Sequence, residues 1–137
     1  MAGLKKHIVK GPMSFGSWVA VYEERDMSTF ELSQGEELAF DRQHGFFTWK
    51  YDFKEHWLLI PKMCGDGRYW RPRIFAMVET LRANGIPCKG VYCVTKRKPE
   101  VYMRVLGGEL VRQEVDENTG VIYSYILVTP ENTNIKR

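Results

Sequence analysis

Two hydrophobic periods alternate along the chain. Trp18-Val19-Ala20-Val21-Tyr22 is a β-rich apolar run bounded by charge, and it predicts a first core strand. Ser28 and Glu31 follow at capping-box spacing, in which the hydroxyl accepts an orphan helix N–H and the carboxylate bonds back. With Phe30, Leu32, Leu38 and Phe40 they predict a helix within 28–40, weakened or split by Gly35. From Gly45 the period changes. Phe46–Phe53 is dense in β-favouring aromatics, and Trp57-Leu58-Leu59-Ile60 is a short continuous apolar run. The charged break from Asp52 to His56 makes the two a hairpin near the middle of a sheet.

Ile74, Phe75, Met77, Val78 and Leu81 then show helical spacing, with Pro72 expected in the first turn, where a missing N–H costs little. Asn84-Gly85 is a helix stop, and Pro87 cannot extend it. Val91–Thr95 is the next strand, Lys96-Arg97-Lys98-Pro99 a loop, and Pro99-Glu100 opens a short helix ending at Gly107-Gly108. Glu109–Glu114 and Val121–Val128 are strands joined by Asp116-Glu117-Asn118-Thr119-Gly120, a hairpin-turn composition. Strand, helix, hairpin, glycine turn, long helix, strand, short helix and hairpin imply a mixed sheet covered by helices. Residues 1–16 are a basic arm or short element, 17–128 one domain, and 129–137 a polar tail.

Composition narrows the function classes. A chain of 137 residues with 44% hydrophobic and 27% charged residues suits one soluble core. The net charge of +3 permits an anionic partner without demanding one, and nucleic acid is not expected. Three cysteines, Cys64, Cys88 and Cys93, are an odd and small number, which argues against a disulfide framework and for a reducing compartment. They lack a CxxC knuckle, so no metal is expected and they read as buried or free thiols. No signal-length apolar run follows Lys5, Lys6 and Lys10, and nothing has the length to cross a bilayer. A cytoplasmic location without membrane contact is expected. Trp49, Trp57 and Trp70 read as core residues before acceptor-binding ones.

The candidate chemistry lies in Ile60-Pro61-Lys62-Met63-Cys64-Gly65-Asp66-Gly67-Arg68-Tyr69-Trp70, which supplies a strand end, a turn and a helix start in order. Unpartnered N–H groups and the macrodipole make such a helix start attractive to an anion, and glycines let the backbone approach one. A plain tight turn has the same composition.

The second half, about residues 55–128, resembles the GNAT family of acyl-CoA-dependent N-acyltransferases, and 17–52 resembles it more faintly. Pro61-Lys62-Met63-Cys64-Gly65-Asp66-Gly67 stands in register with the family's Pro-x-x-Arg-Gly-x-Gly, and the Gly85 stop and Val105-Leu106-Gly107 turn follow at similar spacing. The chain departs from the pattern at Cys64, where the family has Arg or Gln, and at Tyr69, where it has Gly or Ala. Lys62-x-x-Gly65-x-Gly67 is a second register with a basic first position. Lys96-Arg97-Lys98 fills the loop where the family carries an asparagine, and Tyr102 is one place from the family's tyrosine.

The resemblance implies an α/β (α+β) fold with a mixed, mostly antiparallel central sheet flanked by helices. It implies acetyl-CoA as co-substrate and an amine acceptor, either a small molecule or a protein. Leu59, Ile60 and Pro61 would pair with the pantetheine arm, and N–H groups from Cys64, Gly65, Gly67, Arg68 and Tyr69 would hold the pyrophosphate. The Arg68 side chain and Lys96–Lys98 are further phosphate candidates, against a solvated loop tip for the latter. Glu55 would be the general base, ahead of His56, and Tyr102 the general acid, with a backbone N–H near Leu59 facing the oxyanion. Cys64 and Cys93 lack a partnered base in sequence and are weaker candidates as nucleophiles.

A second reading is a GNAT-fold protein that has lost catalysis and serves as a binding or structural subunit. Its setting could be a phage virion or the host cytoplasm, with protein partners. A third is an accessory protein that touches nucleic acid through the basic arm and Lys96–Lys98.

Overall fold

The computed structural model describes residues 12–96, 100, 103–104 and 107–129. Its first element overturns the expected strand at Trp18–Tyr22. These residues lie in helix α1 (Phe15–Asp26), where Ser14 is the N-cap and its hydroxyl accepts from Ser17 N at 3.1 Å. Trp18 and Tyr22, four residues apart, share one face and bury against Phe46 and Cys64. The run satisfied the strand composition, but its two largest side chains stand at helical spacing. Met27, in the left-handed region at φ 53°, ends the helix.

The expected helix within 28–40 is also absent. Ser28 and Glu31 form no capping box, because no helix follows them before β1 begins at Glu37. Phe30 N donates to Glu23 Oε2 at 2.7 Å, and the Phe30 ring packs edge-on against Phe15, Tyr22 and Phe46. Leu38 and Phe40 belong to an edge strand, β1 (Glu37–Asp41), antiparallel to β2 (Gly45–Asp52).

The hairpin of β2 with β3 (Trp57–Ile60) forms as the pattern predicts, with Asp52 paired to Trp57. Asp52 Oδ1 holds its turn by accepting from Lys54 N and Glu55 N, both at 2.9 Å. Between β3 and the long helix lies a strand the pattern did not show, β4 (Met63–Gly65), paired with the opposite end of β2. Thr48 bridges the switch. Its N–H donates to Lys62 O at 2.9 Å, and its hydroxyl accepts from Lys62 N at 3.1 Å.

Helix α2 (Gly67–Ala83) starts earlier than a turn over 64–68 implies, early enough to place Pro72 inside the helix, beyond the first turn. There the missing N–H removes one intrahelical bond. Strands β5 (Val91–Thr95), β6 (Glu109–Val115) and β7 (Ile122–Val128) follow close to their expected bounds. Glu100, Met103 and Arg104 are helical, in the expected place.

The sheet order is β1-β2-β3-β5-β7-β6, with β4 beside β2, and only β3–β5 is parallel. The mixed, mostly antiparallel expectation therefore holds. One face carries the core: Leu58, Ile60, Val91, Cys93, Ile126 and Val128 pack under Trp70, Ile74, Phe75 and Val78 of α2. Alternation sends Trp57, Leu59, Tyr92 and Tyr125 to the other face.

Candidate functional site

The site is opened by two parallel strands that stop pairing. β3 and β5 are in register from Leu58↔Val91 through Leu59↔Tyr92 to Ile60↔Cys93. Pro61 then has no N–H to offer, and Thr48 turns Lys62 toward β2. β5 continues through Val94 and Thr95 with β7 alone as neighbour. Where the strands part, a groove of about 760 Å³ opens. Leu59 to Met63 line one side and Tyr92 and Val94 to Lys96 the other. The end of α1 and the segment after it supply Tyr22, Asp26, Ser28, Thr29 and Glu31, and Asp52, Glu55 and Tyr123 complete the rim.

The titratable groups at this groove differ in how far they are committed. Asp26 holds Arg25 Nε at 2.7 Å, and its backbone carbonyl accepts from Lys96 Nζ at 2.7 Å. Asp52 serves the β2–β3 turn; the N–H of Glu55, then that of Lys54, holds its carboxyl below the ordinary value, against some loss of solvation. Lys62 reaches out of the groove to Glu36, at 2.8 and 3.1 Å from the two carboxylate oxygens. The Glu36 side chain is fully buried. Burial pushes its carboxyl up, but the bonds from Lys62, Thr48 and Ser33 together hold it below the ordinary value. Glu55 and Glu31, both exposed, are the carboxylates at the rim without such commitments among the described residues. On the same sheet face, Trp57, Tyr92 and Tyr125 form an edge-to-face ladder, with Lys89 over Trp57 and Arg112 over Tyr125.

The structure brings Glu55, Leu59, Ile60 and Pro61 together at the groove. Leu59 pairs with both Lys50 and Tyr92 in the sheet, and Ile60 turns its side chain into the core beneath α2. His56 stands elsewhere, at φ 66°, with Nδ1 3.1 Å from the Tyr51 hydroxyl and its carbonyl accepting from Lys89 N. Tyr51 in turn donates to Pro87 O. Tyr102, Arg97 and Lys98 lie outside the described residues. Cys64, Gly65, Gly67, Arg68 and Tyr69 do not line the groove.

Those five residues have other neighbours. Cys64 is buried, with Sγ 3.8 Å from Trp18 O, and its backbone pairs with Phe46. Gly65, at φ 117°, lies against Gly45, and a Cβ there would stand 2.1 Å from His44 O. Asp66 N donates to that same carbonyl at 2.9 Å. The Asp66 carboxylate is the N-cap of α2 and accepts from Arg68 N at 3.1 Å and Tyr69 N at 3.3 Å. The Tyr69 ring stacks on His44 at 3.6 Å, with Arg73 over its other side. The edge left unpaired beyond Ile60 and Cys93 lies at the groove. A diphosphate at the start of α2 does not fit, because a carboxylate of the chain already holds those donors.

Sequence reasoning missed three features: the wall after α1, the Lys62–Glu36 pair and the Asp66 cap. Only the last had a local signal, since Asp before a helical Gly is an ordinary N-cap. The three cysteines are free and buried, and burial pushes the Cys93 thiol up from 9.0 to about 12, which is no nucleophile at neutral pH. Of the tryptophans, Trp70 is buried in the core and donates to His44 O at 3.0 Å, Trp49 packs against the core's edge, and Trp57 is half-buried on the groove face. Among the described residues there is no group of metal-ligating side chains and no helix long and apolar enough to cross a membrane.

No family model matches the sequence, and no curated protein matches it. Among solved structures, an aminoglycoside 6′-acetyltransferase type Ii superposes over 95% of this chain and 99% of its own, with a TM-score of 0.51 and 11% sequence identity. That enzyme has the GNAT fold, and so does this chain, in divergent form.

Proposed function

We propose that this chain is an N-acyltransferase that takes an acyl group from a thioester such as acetyl-CoA and passes it to an amine. The observation that carries the reading is the parting of β3 and β5 beyond Ile60 and Cys93, with a groove opening at the place where they part. From Pro61 onward the chain no longer pairs with β5, and that edge offers an amide-bearing arm the contacts of an added strand, with Leu59 and Ile60, still paired in the sheet, lining the groove beside it.

An amine acceptor must lose a proton before it attacks. Glu55, exposed at the rim and without a salt-bridge partner among the described residues, takes that proton directly or through water. Asp26, Glu31, Asp52 and Glu55 outnumber Lys62 and Lys96 around the opening, which favours a cationic acceptor over an anionic one. The structural neighbour is named for an aminoglycoside, itself a polyamine, and a cationic amine suits this rim likewise. Tyr102 is proposed as the acid that protonates the departing thiolate.

Thermal unfolding with and without acetyl-CoA tests the reading, together with thiol release when a polyamine is added. A thioester at 100 times its Kd stabilises the fold by about 2.7 kcal/mol. No shift at millimolar thioester and no thiol release would overturn it.

A second reading, a GNAT-fold binding or structural subunit without catalysis, is favoured by one observation: the Asp66 carboxylate sits on the donors that a nucleotide would need. A phage virion is the setting proposed for such a subunit. It predicts thioester-independent stability and retention on a protein partner.

A further inference from the structure

We infer that the donor thioester is recognised through its pantetheine-type arm alone, and that Asp66 keeps a diphosphate from the start of α2. This rests on the acyltransferase reading above.

Three features close that seat, two of them supplied by the Asp66 carboxylate. The donors come first. A helix start binds an anion through its unpartnered N–H groups, and here Arg68 N and Tyr69 N point at Asp66 Oδ1 while Trp70 N donates to Asp66 O. Of the first four helical N–H groups, only that of Gly67 is without a partner within the turn.

The second feature is the backbone before the helix. A phosphate cradle needs a glycine loop standing clear of its neighbours. Gly65 is instead a sheet residue opposite Gly45, and Asp66 N is spent on His44 O at 2.9 Å. The glycines serve that close approach, since a Cβ at either position would overlap a backbone oxygen across the pair.

The third feature is charge. The Asp66 carboxylate already complements the helix dipole, so a phosphate would have to displace like charge from its own seat. Arg68 alongside balances Asp66 formally, which leaves no net positive charge at the turn itself. The groove ends at Met63, short of this turn. The arm's seat and the nucleotide's seat are therefore separable in this chain, and only the first is open.

The test compares acetyl-CoA with S-acetyl-pantetheine, which has the same arm and no phosphate, on the full chain and on Asp66→Ser. The serine replaces the carboxylate with a neutral hydroxyl, a weaker acceptor that a phosphate can displace from Arg68 N and Tyr69 N, and Tm without ligand checks that the variant is folded. In the native chain the two thioesters should bind within about threefold of each other. In Asp66→Ser acetyl-CoA should tighten about tenfold and S-acetyl-pantetheine should not change. Acetyl-CoA binding the native chain tenfold more tightly than S-acetyl-pantetheine would overturn this inference and leave the proposed function standing. An unchanged ratio in Asp66→Ser would do the same. If only Asp66→Ser binds acetyl-CoA and nothing binds the native chain, the exclusion stands and the proposed function falls. Binding of neither thioester to either protein removes both.

Discussion

Gly45 and Gly65 face each other across β2 and β4 so closely that a Cβ on Gly45 would stand 2.0 Å from Cys64 O, and one on Gly65 would stand 2.1 Å from His44 O. Both have positive φ, 98° and 117°. The strain of such a backbone costs a residue with a side chain roughly 1–3 kcal/mol, and here a backbone overlap adds to it. Gly65→Ala should therefore lose at least about 3 kcal/mol in urea unfolding. Gly85, at φ 78° but with nothing within 4 Å of a Cβ, is the control, and Gly85→Ala should lose only about 1–2 kcal/mol. Equal losses at the two sites would show that φ alone, and not the close approach, makes Gly65 a glycine.

Glu36 and Lys62 pin the segment after α1 to the end of β3. Removing one member of a buried pair strands the other, so Glu36→Ala should cost about 3 kcal/mol, while Glu36→Leu with Lys62→Met should cost less than the single change. The pH dependence has a definite sign. The folded carboxyl is held below its ordinary 4.5, so the fold gains stability above that value and loses it as pH falls through the lower folded value. Denaturant midpoints between pH 6 and 3 should fall for the native chain and flatten for Glu36→Gln.

Glu55→Gln keeps the size and the turn hydrogen bond of the backbone N–H while removing the proposed base. It should lower kcat about 100-fold or more and leave the thioester-induced Tm shift unchanged. Undiminished kcat would move that role to Glu31, the other rim carboxylate without a committed partner among the described residues.

Native-state labelling with a thiol reagent should be slow at Cys64, Cys88 and Cys93 and rapid only on unfolding, since all three are buried. The raised Cys93 value also gives an alkaline limb. Its contribution is complete below 9.0 and declines as pH climbs toward about 12, because the unfolded thiol ionises first. Cys93→Ala should flatten stability between pH 9 and 11. Rapid labelling of one thiol in the folded chain would contradict the packing of that cysteine.

Legibility in the sequence followed the range of the interactions. The β2–β3 hairpin, α2, β5 and the β6–β7 hairpin are each specified by neighbouring residues: aromatic alternation, helical spacing up to Asn84-Gly85, and the Asp116–Gly120 turn. The errors came where a distant partner decided. Trp18–Tyr22 carries strand-like residues, yet Phe46 and Cys64 reward the face that a helix presents. Ser28 and Glu31 had the letters of a cap, but Glu23 takes the N–H of Phe30 and the aromatic cluster takes its ring, and no helix forms.

The candidate site divides the same way. Local pattern alone determined that a strand ending at Ile60 runs through glycines into a helix, with Glu55 at its turn end and Leu59, Ile60 and Pro61 toward its far end. Only the tertiary structure decided what the glycines do. Gly65 answers to Gly45, twenty residues earlier in the chain, and Asp66 turns its carboxylate onto the helix donors. It also decided that the groove has an acidic wall from the end of α1 and the segment after it, since no local rule carries Asp26 and Glu31 to the end of β3. Hydrogen bonding between neighbours is written in adjacent residues; which strand fills the other side of a backbone is settled only when the sheet closes.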